Sequence, residues 1–153
     1  MSLFVVSNSS PLIALHQIGQ LPLLETLFGS ILIPQAVAGE VRSVGDLPAF
    51  VSVRRLEREL DATISLSMLG AGECESIGLA REVSASHVLL DDLPARRLAG
   101  ELGLSVIGTL GILLAAKRRG ILPAIRPSLD LLVKHGFRIA PTLFQAVLGK
   151  AGE

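Results

Sequence analysis

In the stretch Val88-Leu89-Leu90-Asp91-Asp92-Leu93-Pro94-Ala95-Arg96, an apolar run ends abruptly in two adjacent carboxylates, and a proline then opens a helix. The pattern is a buried strand followed by a tight turn into a helix. In an open α/β sheet, ligands sit in the crevice beyond the carboxyl ends of the strands. Two acids at such an end suit a hard cation such as Mg2+. The rest of the chain supplies three candidates to meet them: Asn8, Glu40 and Glu73.

Working outward, the chain alternates strand and helix with short connections. Leu3 to Ser7 reads as a buried strand. Asn8-Ser9-Ser10-Pro11 follows, with Ser10 as helix cap and Pro11 at the first helical position. A short helix is expected from Leu21 to Leu27 and a second strand over Ile31 to Ile33. Pro34 opens the next helix, in which Val37, Glu40, Val41 and Val44 recur at helical spacing. Val51 to Arg54 reads as an edge strand, and Leu56 to Met68 is unreadable. Gly70-Ala71-Gly72 breaks the chain before a helix from Glu73 to about Glu82. His87 to Leu90 is the fourth strand, followed by a helix ending near Gly103. Ser105 to Ile107 is the fifth, and Gly108-Thr109 leads into a helix ending at Lys117 to Gly120. Helices over Pro123 to His135 and Leu143 to Lys150 complete the reading. Such alternation predicts a parallel sheet covered on both faces.

Composition agrees. The chain has 153 residues, of which 50% are hydrophobic and 18% charged, and its mean hydropathy is +0.58. That length favours one domain, over residues 1–153, and is too apolar for disorder. The longest apolar run, Leu104 to Ala116, falls short of the roughly 20 residues that a membrane span needs. With no signal-peptide pattern and a single cysteine, Cys74, the chain reads as cytoplasmic. The 14 basic and 14 acidic residues cancel, so no global field draws nucleic acid. The absence of Tyr and Trp, with only five Phe, argues against base stacking on an aromatic platform.

Each candidate has an ordinary explanation. Asp92 can cap the following helix and pair with Arg96, but that leaves two adjacent acids after a buried strand unexplained. Glu73 and Glu75 are common in a first helical turn, where they complement the dipole. Asn8 can form an Asx turn, though its amide oxygen can also ligate a hard metal. Glu40 lies within a valine stripe, where burial is costly without a partner or a metal, unless the rotation of the helix leaves it at the rim. Cys74 reads as a small buried hydrophobe. His16, His87 and His135 lack zinc-ligand spacing. No Walker loop, dinucleotide fingerprint or nucleophile elbow occurs. Carboxylates converging in one crevice repel unless a divalent ion neutralises them, and metal held by carboxylates is the usual apparatus for activating water against a phosphodiester.

VVSNSSPLIAL, LIPQAVAGEV, GAGECESIGLA, LLDDLPARRLAGELGL and VIGTLGILLAAKRRG occur in this order. With these segments the chain resembles the PIN-domain family, in particular its short stand-alone prokaryotic members described as nucleic-acid-binding. The resemblance implies a three-layer α/β/α fold with a parallel five-stranded sheet of order 3-2-1-4-5. It also implies an Mg2+- or Mn2+-dependent ribonuclease acting on RNA, the toxin of a toxin–antitoxin pair. In that reading Glu40, Glu73, Asp91 and Asp92 are catalytic, and with Asn8 they hold the metal. Ser10 and Thr109 support them. A cognate antitoxin and a homodimer are the implied partners, with no membrane. GTLGILLAA offers a surface for either partner, or is core. The family's first motif carries aspartate where this chain has Asn8. The alternative is therefore a catalytically degenerate PIN module that binds nucleic acid or a protein partner without cleavage. A purely structural protein would leave these side chains apart.

Overall fold

The computed structural model describes residues 4–153. Short apolar strands that pair in parallel leave both faces to be covered, and this chain covers them with helices. The sheet contains β1 (Val5–Ser7), β2 (Ile31–Ile33), β3 (Val51–Val53), β4 (His87–Leu89) and β5 (Val106–Ile107), all parallel, in the order β3-β2-β1-β4-β5. The expected order 3-2-1-4-5 and the α/β/α layering are both present.

Alternation along the strands divides the core. Val5, Leu89, Ile31, Ile33 and Val51 face one cluster, while Val6, Val88 and Leu90 face the other. The first cluster is completed by α1 (Ser9–Gln17), α2 (Pro22–Phe28) and α3 (Gln35–Arg42). It also takes α7 (Thr109–Arg118), α8 (Arg126–Lys134) and α9 (Pro141–Lys150). The second cluster takes α4 (Ala62–Ser65), α5 (Ala71–Glu82) and α6 (Leu93–Glu101). Strands β1, β2 and β3 step outward to one side, and β4 then returns to the other flank of β1. That reversal opens a crevice at the carboxyl ends of β1 and β4.

Several boundaries move. Leu3, expected to begin the first strand, lies outside the described residues. Ser10 is not the helix cap: α1 begins at Ser9 after Asn8, no side chain caps it, and the Ser10 hydroxyl is used elsewhere. The helix expected from Glu73 starts at Ala71, so Gly72 is helical. The unreadable segment contains α4, whose cap is Asp61 accepting from the Thr63 N–H. GTLGILLAA is mainly core, with Ile112, Leu113 and Ala116 buried. No helix of the described residues is long and apolar enough to cross a membrane.

Glu153 fastens the far helices. Its carboxylate accepts from the backbone N–H of Ile125 (2.8 Å) and of Arg126 (3.2 Å), and from Lys117 Nζ (3.0 Å). The Ile125 N–H holds this carboxyl below its ordinary value of 4.5; burial opposes the shift, and Lys117 and Arg126 add to it. A depressed folded-state value contributes stability above the unfolded value, and that stability is lost as pH falls. Glu153→Ala will therefore lower the Tm at pH 7. In thermal melts, the gap to wild type will narrow as pH falls below about 4.5, the ordinary glutamate value.

Candidate functional site

The carboxyl ends of β1 and β4 are fixed to one another by parallel pairing, Ser7 opposite Leu89, and by the Asn8 N–H donating to the Leu89 carbonyl at 3.0 Å. Asn8 therefore stands beside the strand that delivers Asp91 and Asp92. Glu40 arrives on α3, which packs between α1 and α5, and Glu73 arrives on the first turn of α5. Asn8, Glu40, Glu73, Asp91 and Asp92 all line one cleft of about 920 Å³.

Asp91 is the most firmly held of the five. One oxygen accepts from the Thr109 backbone N–H (2.7 Å), and the other from the Thr109 hydroxyl (2.7 Å) and the Ser10 hydroxyl (2.9 Å). The supporting roles expected of Ser10 and Thr109 thus converge on a single carboxylate. Gly108 makes the approach possible. A Cβ there would lie 2.3 Å from Arg96 Nη1, 3.0 Å from Asp91 Oδ1 and 3.3 Å from the Leu90 carbonyl.

Asp92 does cap α6, accepting from the Ala95 N–H at 3.0 Å. It does not pair with Arg96, which turns back to donate to the Leu90 carbonyl at 3.2 Å. Glu75 is structural, accepting from the Ala36 N–H at the start of α3. The carboxylate of Glu73 folds back over the start of its own helix, where a Cβ on Gly70 would lie 2.8 Å from Oε2. That position suits the positive end of the dipole.

Glu40 is not embedded among valines. Val37 and Val41 are buried, but Glu40 is exposed at the rim of the cleft and Val44 is 45% exposed beyond it. Its orientation is set by a residue that sequence reasoning missed: the Ser9 hydroxyl donates to Glu40 Oε2. Consecutive serines on α1 thus reach different acids, Ser9 to Glu40 and Ser10 to Asp91. An ordinary serine in a first helical turn carries no sequence signal of that reach.

Glu40 Oε1 and Asn8 Oδ1 share a space. A Cβ on Gly72 would lie 2.8 Å from the first and 3.0 Å from the second, so glycine keeps that space open. Asn8 is 4% exposed, and its Oδ1 is buried with no hydrogen-bond partner. Leaving such an acceptor unpaired costs roughly 1–3 kcal/mol. Both facing atoms are oxygens, the donor type that hard divalent cations take. Among the described residues, no three His, Cys, Asp or Glu side chains gather closely enough to hold one ion. Mg2+ typically takes only one or two carboxylates and keeps several waters, so an amide and a carboxylate facing one space fit it.

The family model DUF3368, described as a PIN domain, matches residues 4–153. The chain belongs to the PIN-domain family. No curated protein and no solved structure matched it. The PIN assignment supports a nuclease-type fold, in agreement with a cleft at the switch point of the sheet.

In this PIN domain the ion pairs among the described residues are Arg81–Asp61 and Lys117–Glu153, so no carboxylate of the cleft has a basic partner. The bonds at Asp91 are then its main anchor. Thr109→Val keeps shape and the backbone donor but removes one hydroxyl bond, and will cost about 1 kcal/mol in urea denaturation. Asp91→Ala will cost more, because it strands three donors.

Proposed function

We propose that this PIN domain is an Mg2+- or Mn2+-dependent endoribonuclease acting in the cytoplasm as the toxin of a toxin–antitoxin pair. One observation carries the reading: the buried, partnerless Oδ1 of Asn8 opens onto the same space as Glu40 Oε1, in a cleft that Glu73, Asp91 and Asp92 also line. A divalent ion held there would supply activation of water against a phosphodiester and neutralise charge developing on phosphate.

Asn8 and Glu40 would hold the ion, with Ser9 fixing the Glu40 carboxylate. Glu73 and Asp92, which line the same cleft, would orient the attacking water. Asp91 has its oxygens committed to Ser10 and Thr109, so it acts by positioning the strand end and by adding negative charge to the floor. A homodimer and a cognate antitoxin are the protein partners this reading carries.

The second reading is a PIN module that binds nucleic acid or a protein partner without cutting. It is favoured by the amide at position 8, which offers a neutral oxygen where a carboxylate would bring charge.

Cleavage of a labelled single-stranded RNA separates the two. Wild type will cut with Mn2+ or Mg2+ and stop with EDTA. Glu40→Gln and Asp92→Asn will each lose roughly 100-fold or more. A silent wild type beside an active Asn8→Asp would establish the second reading. Silence from wild type and Asn8→Asp alike, with intact folding, would overturn the nuclease assignment.

A further inference from the structure

Arg96 is a cation in an acidic cleft that pairs with none of its acids. It lies on α6, half-buried, and lines the cleft with Glu40, Glu73, Asp91 and Asp92. Its Nη1 donates to the Leu90 carbonyl at 3.2 Å, the one hydrogen bond of this side chain among the described residues. Gly108 makes room for it, since a Cβ there would lie 2.3 Å from Nη1. Gly108 has a φ of −94°, which any residue adopts, so glycine serves there for space rather than for backbone freedom. Nη1 and Asp91 Oδ1 both lie within 3.0 Å of that point, yet they form no ion pair. The Asp91 oxygens are taken by Thr109 and Ser10 instead.

A tie between α6 and the end of β4 does not need this residue. A neutral donor would serve the Leu90 carbonyl as well, and a carbonyl leaves the guanidinium charge uncompensated. Arginine carries five N–H groups, and most of them stay unused here. A charged fork with free donors, beside a carboxylate that does not claim it, is suited to an anion. The planar fork matches the oxygens of a phosphate, which it can take two at a time.

We infer that Arg96 is the phosphate-contacting residue of the cleft: its guanidinium takes the non-bridging oxygens of the scissile phosphodiester and offsets the charge that builds on them as water attacks. The inference rests on the nuclease reading for its ligand. Two-metal sites clamp a phosphodiester between two cations. Here Asn8 and Glu40 offer oxygens to one ion, while Asp91 is committed to Ser10 and Thr109. Arg96 supplies the second positive charge from the protein itself. In the step, the water oxygen bonds to phosphorus and its proton passes to a cleft carboxylate. The bond from phosphorus to the leaving sugar oxygen breaks, and that oxygen keeps the electron pair and takes a proton from solvent. Arg96 stays protonated throughout.

Binding and cleavage test this separately. The binding probe is dimethyl phosphate, a phosphodiester with neither base nor sugar, titrated in Mg2+ into isotope-labelled protein. The readouts are the Arg96 Nε–H resonance, identified by its loss in Arg96→Lys, and the Gly108 backbone N–H. The control is Arg97→Gln, since Arg97 is exposed and outside the cleft lining. Each variant is first confirmed as folded by its Tm.

In wild type both resonances will shift and saturate with dimethyl phosphate. Arg96→Gln will weaken that binding about tenfold or more, read at Gly108. In single-turnover cleavage of labelled RNA, Arg96→Gln will lose about 100-fold in rate. Arg96→Lys, which keeps the charge but not the fork, will lose about tenfold. Arg97→Gln will match wild type in both assays. If dimethyl phosphate shifts the wild-type resonances but wild type does not cut, Arg96 stands as the phosphate contact and the nuclease reading falls. If wild type cuts while its Arg96 resonance stays still, or Arg96→Gln cuts as fast as wild type, the Arg96 inference falls and the nuclease reading stands. Neither binding nor cutting by wild type overturns both.

Discussion

The parallel pairing of β1 with β4 is the constraint on which the rest depends. Three residue pairs, Val5 with His87, Val6 with Val88 and Ser7 with Leu89, place two chain segments about eighty residues apart in sequence side by side. The register decides which polar residues emerge together. A slip of β1 by one residue would turn Val6 toward the wrong core cluster and Asn8 away from the cleft. The Asn8 N–H on the Leu89 carbonyl closes the pairing at its end. The acids of the cleft are hung from that junction: Asp91 and Asp92 directly, Glu73 through α5, which packs on β1 and β4, and Glu40 through α3, which packs on α1 and α5.

The junction also explains the uneven holding of the acids. Asp91, nearest the sheet, is tied by three donors from α1 and α7. Asp92 spends one oxygen on its helix, Glu40 is held by one serine, and Glu73 lies over the start of its own helix. Restraint therefore falls from the floor of the cleft to its rim. Such a gradient suits a site whose inner carboxylate sets the frame while the outer ones adapt to what binds. The buried, partnerless oxygen of Asn8 is the exception, a polar atom deep in the frame with no bond of its own.

Much of this was legible in the sequence, and the reasons differ by residue. The central strands announced themselves because burial on both faces forces a continuous apolar run, as in Val88-Leu89-Leu90. The acids were legible because a carboxylate at a strand end needs explaining. Sequence left Glu40 between the apolar stripe and the rim, since helical spacing gives its neighbours but not the rotation of α3 against the sheet. Ser9 went unnoticed because its partner lies on another helix, thirty-one residues away. Segment 56–68 stayed dark because α4 is only four residues long and too short to show a period.

The proposed function needs Asn8 and Glu40 to hold a divalent cation together despite the neutral oxygen at position 8. Thermal melting with rising Mn2+ tests it most directly, because an ion that binds only the folded state must raise its stability, by about 2.7 kcal/mol at a hundred times Kd. The Tm of wild type will rise with Mn2+ concentration, that of Asn8→Asp will rise further, and that of Glu40→Gln will move little or not at all. A wild-type Tm indifferent to Mn2+, or one that rises equally in Glu40→Gln, would contradict it.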